Sequence, residues 1–451
     1  MLKYRIFIPR FIVYRHYATS LLFVPGAKKS QQVSIVSPHL DFDDRFHNIS
    51  ELERNVKARR LSINVKKCHE MWQILCHVNN SKSTIEKKRA EIPAKIKELQ
   101  ECGKVQEAEK YIHQAKLLRE ELKSLSKTIW ELEEISIPKA LNLPNDLHPD
   151  TPLESEICLY KNDEPLTKCS ESHVEIAEKF DLIDWRNNNC FFFLNNAALY
   201  ETLVLSVVSE LLKRDKYIEV SNSDFVRSIV LEGCGMSFDN PSISFLLQDD
   251  GEKNLNRLHL VGSASLPSFC CLHSKHYVSE NVLPLRYVTV GRQYKPTEET
   301  EVNGLFSTWQ ETVVGVFVAT PSISTMMDEF NCLVKLITKF YQQFKYPLKI
   351  VYVPAHKLQI HENLRVSIQM YSPNSQAFIE VGNISISGSF LSKRLLMCYQ
   401  KSDNENKFLN IVSGTLLSAP KFIGCAMEND YCRNEELLVL ERINNGISVA
   451  T

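Results

Sequence analysis

Acidic residues are missing from the first forty positions, glycine is scarce, and no two cysteines stand in a Cys-x-x-Cys spacing. Each absence excludes something. Fourteen glycines in 451 residues rule out a collagenous or glycine-rich low-complexity chain. The thirteen cysteines are scattered, with one adjacent pair at Cys270 and Cys271, so they read as reduced thiols rather than a disulfide framework or a zinc knuckle. No metal and no cofactor are expected from them. Apolar runs near the amino terminus are broken by arginines before reaching the roughly 18 residues a membrane span needs, so no membrane insertion is expected. A formal net charge of -1 excludes a globally basic or acidic polyelectrolyte, and any nucleic-acid surface must therefore be local.

What is present is an ordinary globular composition, 44% hydrophobic and 24% charged, in a chain long enough for two or three domains. The acid-free leader carries Lys3, Arg5, Arg10, Arg15, Lys28 and Lys29 among aromatic and aliphatic residues. That is the composition of a mitochondrial import sequence, with Arg15 to Thr19 resembling a matrix-protease cleavage region; a basic disordered tail is the alternative. Residues 1–35 are read as this leader, and the expected location is the mitochondrial matrix.

Residues 36–140 are read as a helical domain. From about Ser50 to Ile135 the chain is rich in Glu, Lys, Arg, Leu and Ile. Leu118, Leu122, Leu125, Ile129 and Leu132 alternate in steps of four and three, while Ile85, Ile92 and Leu99 recur every seven, the seam of a coiled coil. Cys102-Gly103-Lys104 breaks the pattern and is the expected turn. Two antiparallel helices of about 32 to 36 residues would make an arm about 50 Å long, kinked at Pro93. Proline punctuation at Pro144, Pro149 and Pro152 marks a linker over residues 141–170. Residues 171–451 mix helices with β-branched runs such as Leu348 to Val353 and Ala377 to Ile386 without regular strand-helix-strand alternation. The expected class is therefore α+β, an antiparallel sheet with flanking helices.

Several strings, in order, resemble seryl-tRNA synthetases, the class II family with a coiled-coil arm and an antiparallel-sheet catalytic domain. Leu143-Pro144-Asn145-Asp146-Leu147-His148-Pro149 resembles the family's junction between arm and catalytic domain, and His173-Val174-Glu175-Ile176 with Leu182-Ile183-Asp184 its next segment. Leu199-Tyr200-Glu201 and Tyr217 to Val220 resemble motif 1, with Asn222 and Ser223 in place of the expected prolines. Leu283 to Tyr287 and Asn303-Gly304-Leu305 resemble motif 2, and Ser413-Gly414 through Glu428-Asn429 resembles motif 3. More narrowly, the chain is similar to a non-catalytic branch of the family found in insect mitochondria.

The resemblance also implies that the chemistry is absent. Adenylate formation depends on groups that clamp the triphosphate, hold magnesium and orient the amino acid. The family's carboxylate for the serine amino group falls on Ser265. Counting back from Gly304, the α-phosphate arginine falls on Arg292 and the acid two residues later on Tyr294. The arginine and histidine before the motif 2 phenylalanine fall on Ser307 and Trp309, and the phenylalanine on Glu311. Two strand carboxylates fall on Ser367 and Gln369, Glu380 keeps another, Asn383 replaces a serine of the metal shell, and the γ-phosphate arginine falls on Lys421. Ser265, Arg292, Tyr294, Ser307, Trp309, Gln369, Glu380 and Lys421 are thus vestigial positions, and no catalytic residue is assigned. His273 and His276 beside Cys270 and Cys271 are read as structural rather than as a nucleophile and base.

Binding functions remain. Residues 51–135 hold 18 Lys and Arg against 14 Asp and Glu. Lys87, Lys88, Arg89, Lys95, Lys97, Lys104, Lys110, Lys116 and Arg119 are candidate contacts to tRNA or other RNA phosphates, with a solvated coiled-coil face as the plainer reading. Leu199, Leu203, Val207 and Leu211 are candidate dimer contacts or ordinary core. The function expected is that of an inactive paralogue partnering mitochondrial seryl-tRNA synthetase as a heterodimer, or itself as a homodimer. A divergent but active serine-tRNA ligase and a free-standing RNA-binding factor are the alternatives.

Overall fold

The computed structural model describes residues 20–23, 36, 38–187, 190–248, 256–296, 304–401, 405–440 and 443. The leader, apart from residues 20–23, lies outside them, as does its Arg15 to Thr19 cleavage region.

The chain divides into two compact units, one containing Lys66–Leu141 and the other Val33–Val65 with Asn142–Thr451. This differs from the division read from the sequence: residues 36–65, including helix α1 (Ile49–Ala58), belong with the second unit. The reason is Arg59, whose guanidinium donates to the carbonyls of Gln359, Glu362 and Asn145 in that unit.

The first unit is a helical pair, α2 (Val65–Glu101) and α3 (Val105–Leu141). Each has 37 residues, about 55 Å of helix. Gly103 sits between them with φ of +75°, where a side chain would be strained. Ala108, Leu122, Ile129 and Ser136 of α3 are buried at multiples of seven, with Tyr111, Leu118, Leu125 and Leu132 half-buried between them, which is the expected seam. Pro93 lies inside α2 without ending it.

The second unit is built on an eight-stranded sheet. Its strands are β1 (Ile157–Lys161), β2 (Ile218–Glu219), β3 (Leu285–Tyr294), β4 (Gln310–Thr320), β5 (Leu348–Tyr352), β6 (Leu364–Ser372), β7 (Ala377–Gly388) and β8 (Asn410–Ser418). The spatial order is β1-β5-β6-β7-β8-β4-β3-β2, antiparallel throughout except for the short β2 beside β3. The central strands alternate between the two faces apart from a bulge at Val381 of β7. Leu364, Val366, Ile368 and Met370 of β6, and Ile384 and Ile386 of β7, belong to the core, while Arg365, Ser367, Asn383 and Ser385 take the other face.

The core face is covered by helices α5 (Asn195–Arg214), α7 (Ile323–Gln342) and α8 (Ala419–Cys432), through Tyr200, Phe330, Phe340 and Phe422, all nearly fully buried. Helix α4 (His173–Lys179) is opened by a reciprocal capping box between Ser172 and Glu175, and α6 (Leu266–His273) starts at Ser265. No helix among the described residues is long and apolar enough to cross a membrane.

Candidate functional site

The polar face of the sheet forms the floor of two adjoining cavities. One, of about 250 Å³, is lined by Ser265, Gln293, His361, Glu362, Arg365 and Ser413, among others. The second, of about 200 Å³, is lined by Lys295, Glu311, Glu380, Ser418 and Lys421, and shares Gln293, Arg365, Asn383 and Thr415 with the first. Besides His361, the ionisable walls comprise three cations, Lys295, Arg365 and Lys421, and three carboxylates, Glu311, Glu362 and Glu380.

These charges are mostly spent on each other. Lys421 Nζ lies 2.8 Å from Glu311, whose other oxygen accepts from Ser418 Oγ at 2.7 Å. Arg365 pairs with Glu380, which also accepts from Ser367 Oγ at 2.6 Å and from Asn383 Nδ2 at 3.1 Å. Burial alone would pull the Arg365 pKa down, but the neighbouring Glu380 and Glu362 carboxylates hold it above its ordinary value. Gln369, buried, donates to Ser367 Oγ at 3.1 Å, so the strand positions expected to carry acids instead form a neutral hydroxyl-amide chain. Both Glu380 oxygens are engaged by protein donors, and no group of three His, Cys, Asp or Glu able to hold a metal ion exists among the described residues. The donor set that a magnesium ion would need does not fit these residues.

Of the vestigial positions read from the sequence, Ser265, Glu380 and Lys421 do line the cavities. Ser265 Oγ is turned inward, donating to Gly262 O at 2.7 Å. Arg292 is not there. It is exposed on the opposite side of β3, in a separate cleft with Glu201, Ser209, Lys213, Glu219 and Thr312. The residue facing the cavity is its neighbour Gln293, which donates to Ala264 O at 2.8 Å and to Thr415 Oγ1 at 2.9 Å. The reason is strand parity: moving one position along β3 reverses the face. Tyr294 shares the parity of Arg292, and Lys295 takes the cavity position two after Gln293. Ser307 and Trp309 do not line either cavity; Trp309 packs edge-on to Phe245 at 5.4 Å, while Thr308 and Glu311 face inward.

Sequence reasoning missed a buried network beneath this site. His173 Nε2 accepts from the backbone N–H of Leu305 at 3.0 Å, so its proton is on Nδ1, which donates to Glu428 at 2.8 Å. Glu428 also accepts from the His173 N–H at 3.2 Å, Ser372 Oγ at 2.5 Å and the Asn374 N–H at 3.2 Å. One carboxylate therefore ties α4, the turn after residue 303, strand β6 and helix α8 together. His273 is also buried, and its two ring nitrogens find no partner. Burial, with His276 adding to it, pushes its pKa down to about 4, which suits a packed neutral ring stacked on Tyr287 and Phe317.

Elsewhere, the nine basic candidates on the helical pair are all exposed. Lys95, Lys97 and Lys104 have carboxylate neighbours at 3.5 to 4.0 Å three or four residues along the chain, while among the described residues no ion pair is seen at Lys87, Lys88, Arg89, Lys110, Lys116 or Arg119. On α5, Val207 and Leu211 are core residues and Leu203 packs against the core, leaving Leu199, 57% exposed, as the candidate contact with a free surface. Phe180, Phe192, Leu194 and Ile218 are further exposed apolar side chains of this unit.

Comparison with known proteins agrees with this architecture. Residues 245–430 match the tRNA synthetase class II core domain (G, H, P, S and T). The serine-tRNA synthetase-like protein Slimp of Drosophila melanogaster is 28% identical over 417 residues, covering 91% of this chain and 89% of the relative. The mitochondrial serine-tRNA ligase of Mus musculus is 26% identical, covering 82% and 74%. Among solved structures, seryl-tRNA synthetase from Pyrococcus horikoshii complexed with ATP superimposes with a TM-score of 0.77 at 16% identity, covering 86% of this chain and 94% of that one. The cytoplasmic serine-tRNA ligase of Naegleria fowleri in complex with AMP gives 0.74 at 14% identity, covering 90% and 95%. The chain carries a class II tRNA synthetase core over residues 245–430 on a seryl-tRNA synthetase-like fold, and is similar in sequence to Slimp and to mitochondrial serine-tRNA ligases.

Proposed function

We propose that this protein is a catalytically inactive seryl-tRNA synthetase paralogue that acts in the mitochondrial matrix by binding. Its partner is mitochondrial seryl-tRNA synthetase, or a second copy of itself, and RNA is held on the helical pair. The observation that carries the reading is the state of the cavity charges. An ATP triphosphate needs unpaired cations and a metal shell at its phosphates. Here Lys421 and Arg365 are tied to Glu311 and Glu380, the strand position facing the cavity is the neutral Gln293, and Ser265 offers no carboxylate to an amino group. Freeing either cation for phosphate would leave its partly buried carboxylate without its counter-charge, which opposes phosphate binding. Three independent losses of charged contacts, at about 2 to 4 kcal/mol each, would lower activity at least roughly 10⁴-fold.

Serine-dependent ATP-pyrophosphate exchange tests this directly, with the active mitochondrial enzyme as reference. The reading expects exchange at the level of a no-enzyme control. Exchange within a hundredfold of the reference would overturn it in favour of a divergent but active ligase. The partner role is supported by the exposed apolar residues Leu199 and Ile218, and the RNA role by the six exposed basic side chains of the helical pair that have no ion pair among the described residues.

A further inference from the structure

Residues Gln359 to Asn363 form a loop with two occupied sides. Its side chains face the larger cavity through Gln359, His361 and Glu362, with Arg365 two residues on. Its carbonyl groups face the other way, and all five are accepted acceptors. Arg59 Nη1 donates to Gln359 O at 2.8 Å and Arg59 Nη2 to Glu362 O at 2.6 Å. The Asn145 N–H donates to Ile360 O at 2.8 Å and Asn145 Nδ2 to His361 O at 2.7 Å. The His148 N–H and Thr151 Oγ1 donate to Asn363 O at 3.1 and 2.6 Å.

The donors come from two short stretches that the sequence separates by the whole helical pair. Arg59 follows α1 and precedes the start of α2 at Val65; Asn145 follows the end of α3 at Leu141. They are also bonded to each other, since Arg59 Nη2 and Asn55 Nδ2 both donate to Asn145 O, at 2.9 and 3.0 Å. Arg59 is only 4% exposed, and burial lowers its pKa to about 10, so its fork is committed to these carbonyls rather than to solvent. A planar guanidinium that bridges two carbonyls of one loop and a third, Asn145 O, from the segment after α3 fixes their spacing in a way that no single-point donor does.

We propose that this loop is a relay, with Arg59 and Asn145 as positioning residues that couple the ordering of the helical pair to the shape of the cavity. Any displacement where the chain enters or leaves the pair acts on the donors of the loop's carbonyls, and the loop's opposite side is cavity wall. By linkage the influence runs equally in both directions. The coupling does not depend on what the helical pair holds.

The test is a double-mutant cycle read by amide hydrogen exchange on the full chain, with no RNA present. Leu122→Asp with Ile129→Asp loosens the buried seam of α3. The readout is exchange at the Gln359, Glu362 and Asn363 amides, each hydrogen-bonded within the second unit: to Glu362 Oε2, Gln359 O and Ile386 O. The relay predicts about tenfold faster exchange there when the seam is loosened in the native background. It predicts no further acceleration when the seam is loosened in an Arg59→Lys background, where the fork is gone but the charge remains. Unchanged exchange in the native background would overturn the relay, as would an equal acceleration in both backgrounds, which is what a purely structural Arg59 gives. If Arg59→Lys does not fold, Asn145→Ser takes its place in the cycle. Because no RNA enters, failure of RNA binding and failure of the relay are separate results.

Discussion

Replacing Glu428 by alanine should be among the most destabilising single changes in the second unit. The carboxylate is 1% exposed and accepts from four donors: the His173 ring, the His173 N–H, Ser372 Oγ and the Asn374 N–H. His173 cannot escape by switching tautomer, because its Nε2 must stay an acceptor for the Leu305 N–H. A rotating hydroxyl such as Ser372 finds another acceptor, Ser375 being within 2.8 Å, but the remaining donors do not. At about 1 to 3 kcal/mol for each buried donor left unmet, and with Asn374 partly solvated, Glu428→Ala should cost roughly 4 kcal/mol. Glu428→Gln keeps the volume and one acceptor oxygen. Its amide nitrogen can face Ser372, leaving mainly the Asn374 N–H unpaired, so about 1 to 2 kcal/mol is expected. Guanidinium unfolding followed by tryptophan fluorescence and far-ultraviolet circular dichroism measures both, as a lower midpoint at unchanged slope. A Glu428→Ala protein within 1 kcal/mol of the native chain would refute the view that this carboxylate joins four elements.

Acid should destabilise the second unit through its neutral histidines. Burial lowers the pKa of His259, His273 and His361 in the folded state, so the unfolded chain binds more protons as pH falls. Their contribution is complete above about pH 6.5 and is lost as the pH falls below it; for His273 alone, lost on the way to pH 4, the shift is worth about 3 kcal/mol, and His273→Phe should flatten that part of the stability curve. On the helical pair, Lys87→Glu, Lys88→Glu and Arg89→Glu together should weaken RNA binding at least tenfold and lower its salt dependence by about two to three units of log-log slope, measured by fluorescence anisotropy against ionic strength. Unaltered binding would assign these residues to a solvated face.

How much of this could be read from the sequence depends on how local each signal is. The helical pair was legible because its seam repeats every seven residues and Gly103 marks its turn. The antiparallel sheet was legible from β-branched runs such as Leu348 to Val353. The face presented by β3 was not, because counting back from Gly304 crosses a turn of variable length, and one residue of error turns Arg292 outward and brings Gln293 in. Glu428 and His173 are 255 residues apart, and Arg59 and Glu362 are 303 apart. Nothing in the spacing of such residues announces a contact, so the network under the site and the attachment of residues 36–65 to the second unit had to come from the fold. On α5 the apolar pattern was correct, but it marked core at Val207 and Leu211 more than surface.

The central claim is that the protein works by association and not by making seryl-tRNA itself. Co-expression of the chain, lacking residues 1–35, with active mitochondrial seryl-tRNA synthetase, followed by native mass measurement of the purified species, tests it most directly. The account predicts a one-to-one complex of the two chains, or a homodimer of this chain that carries no serylation activity of its own. A monomer, or a homodimer that charges tRNA with serine unaided, would contradict it.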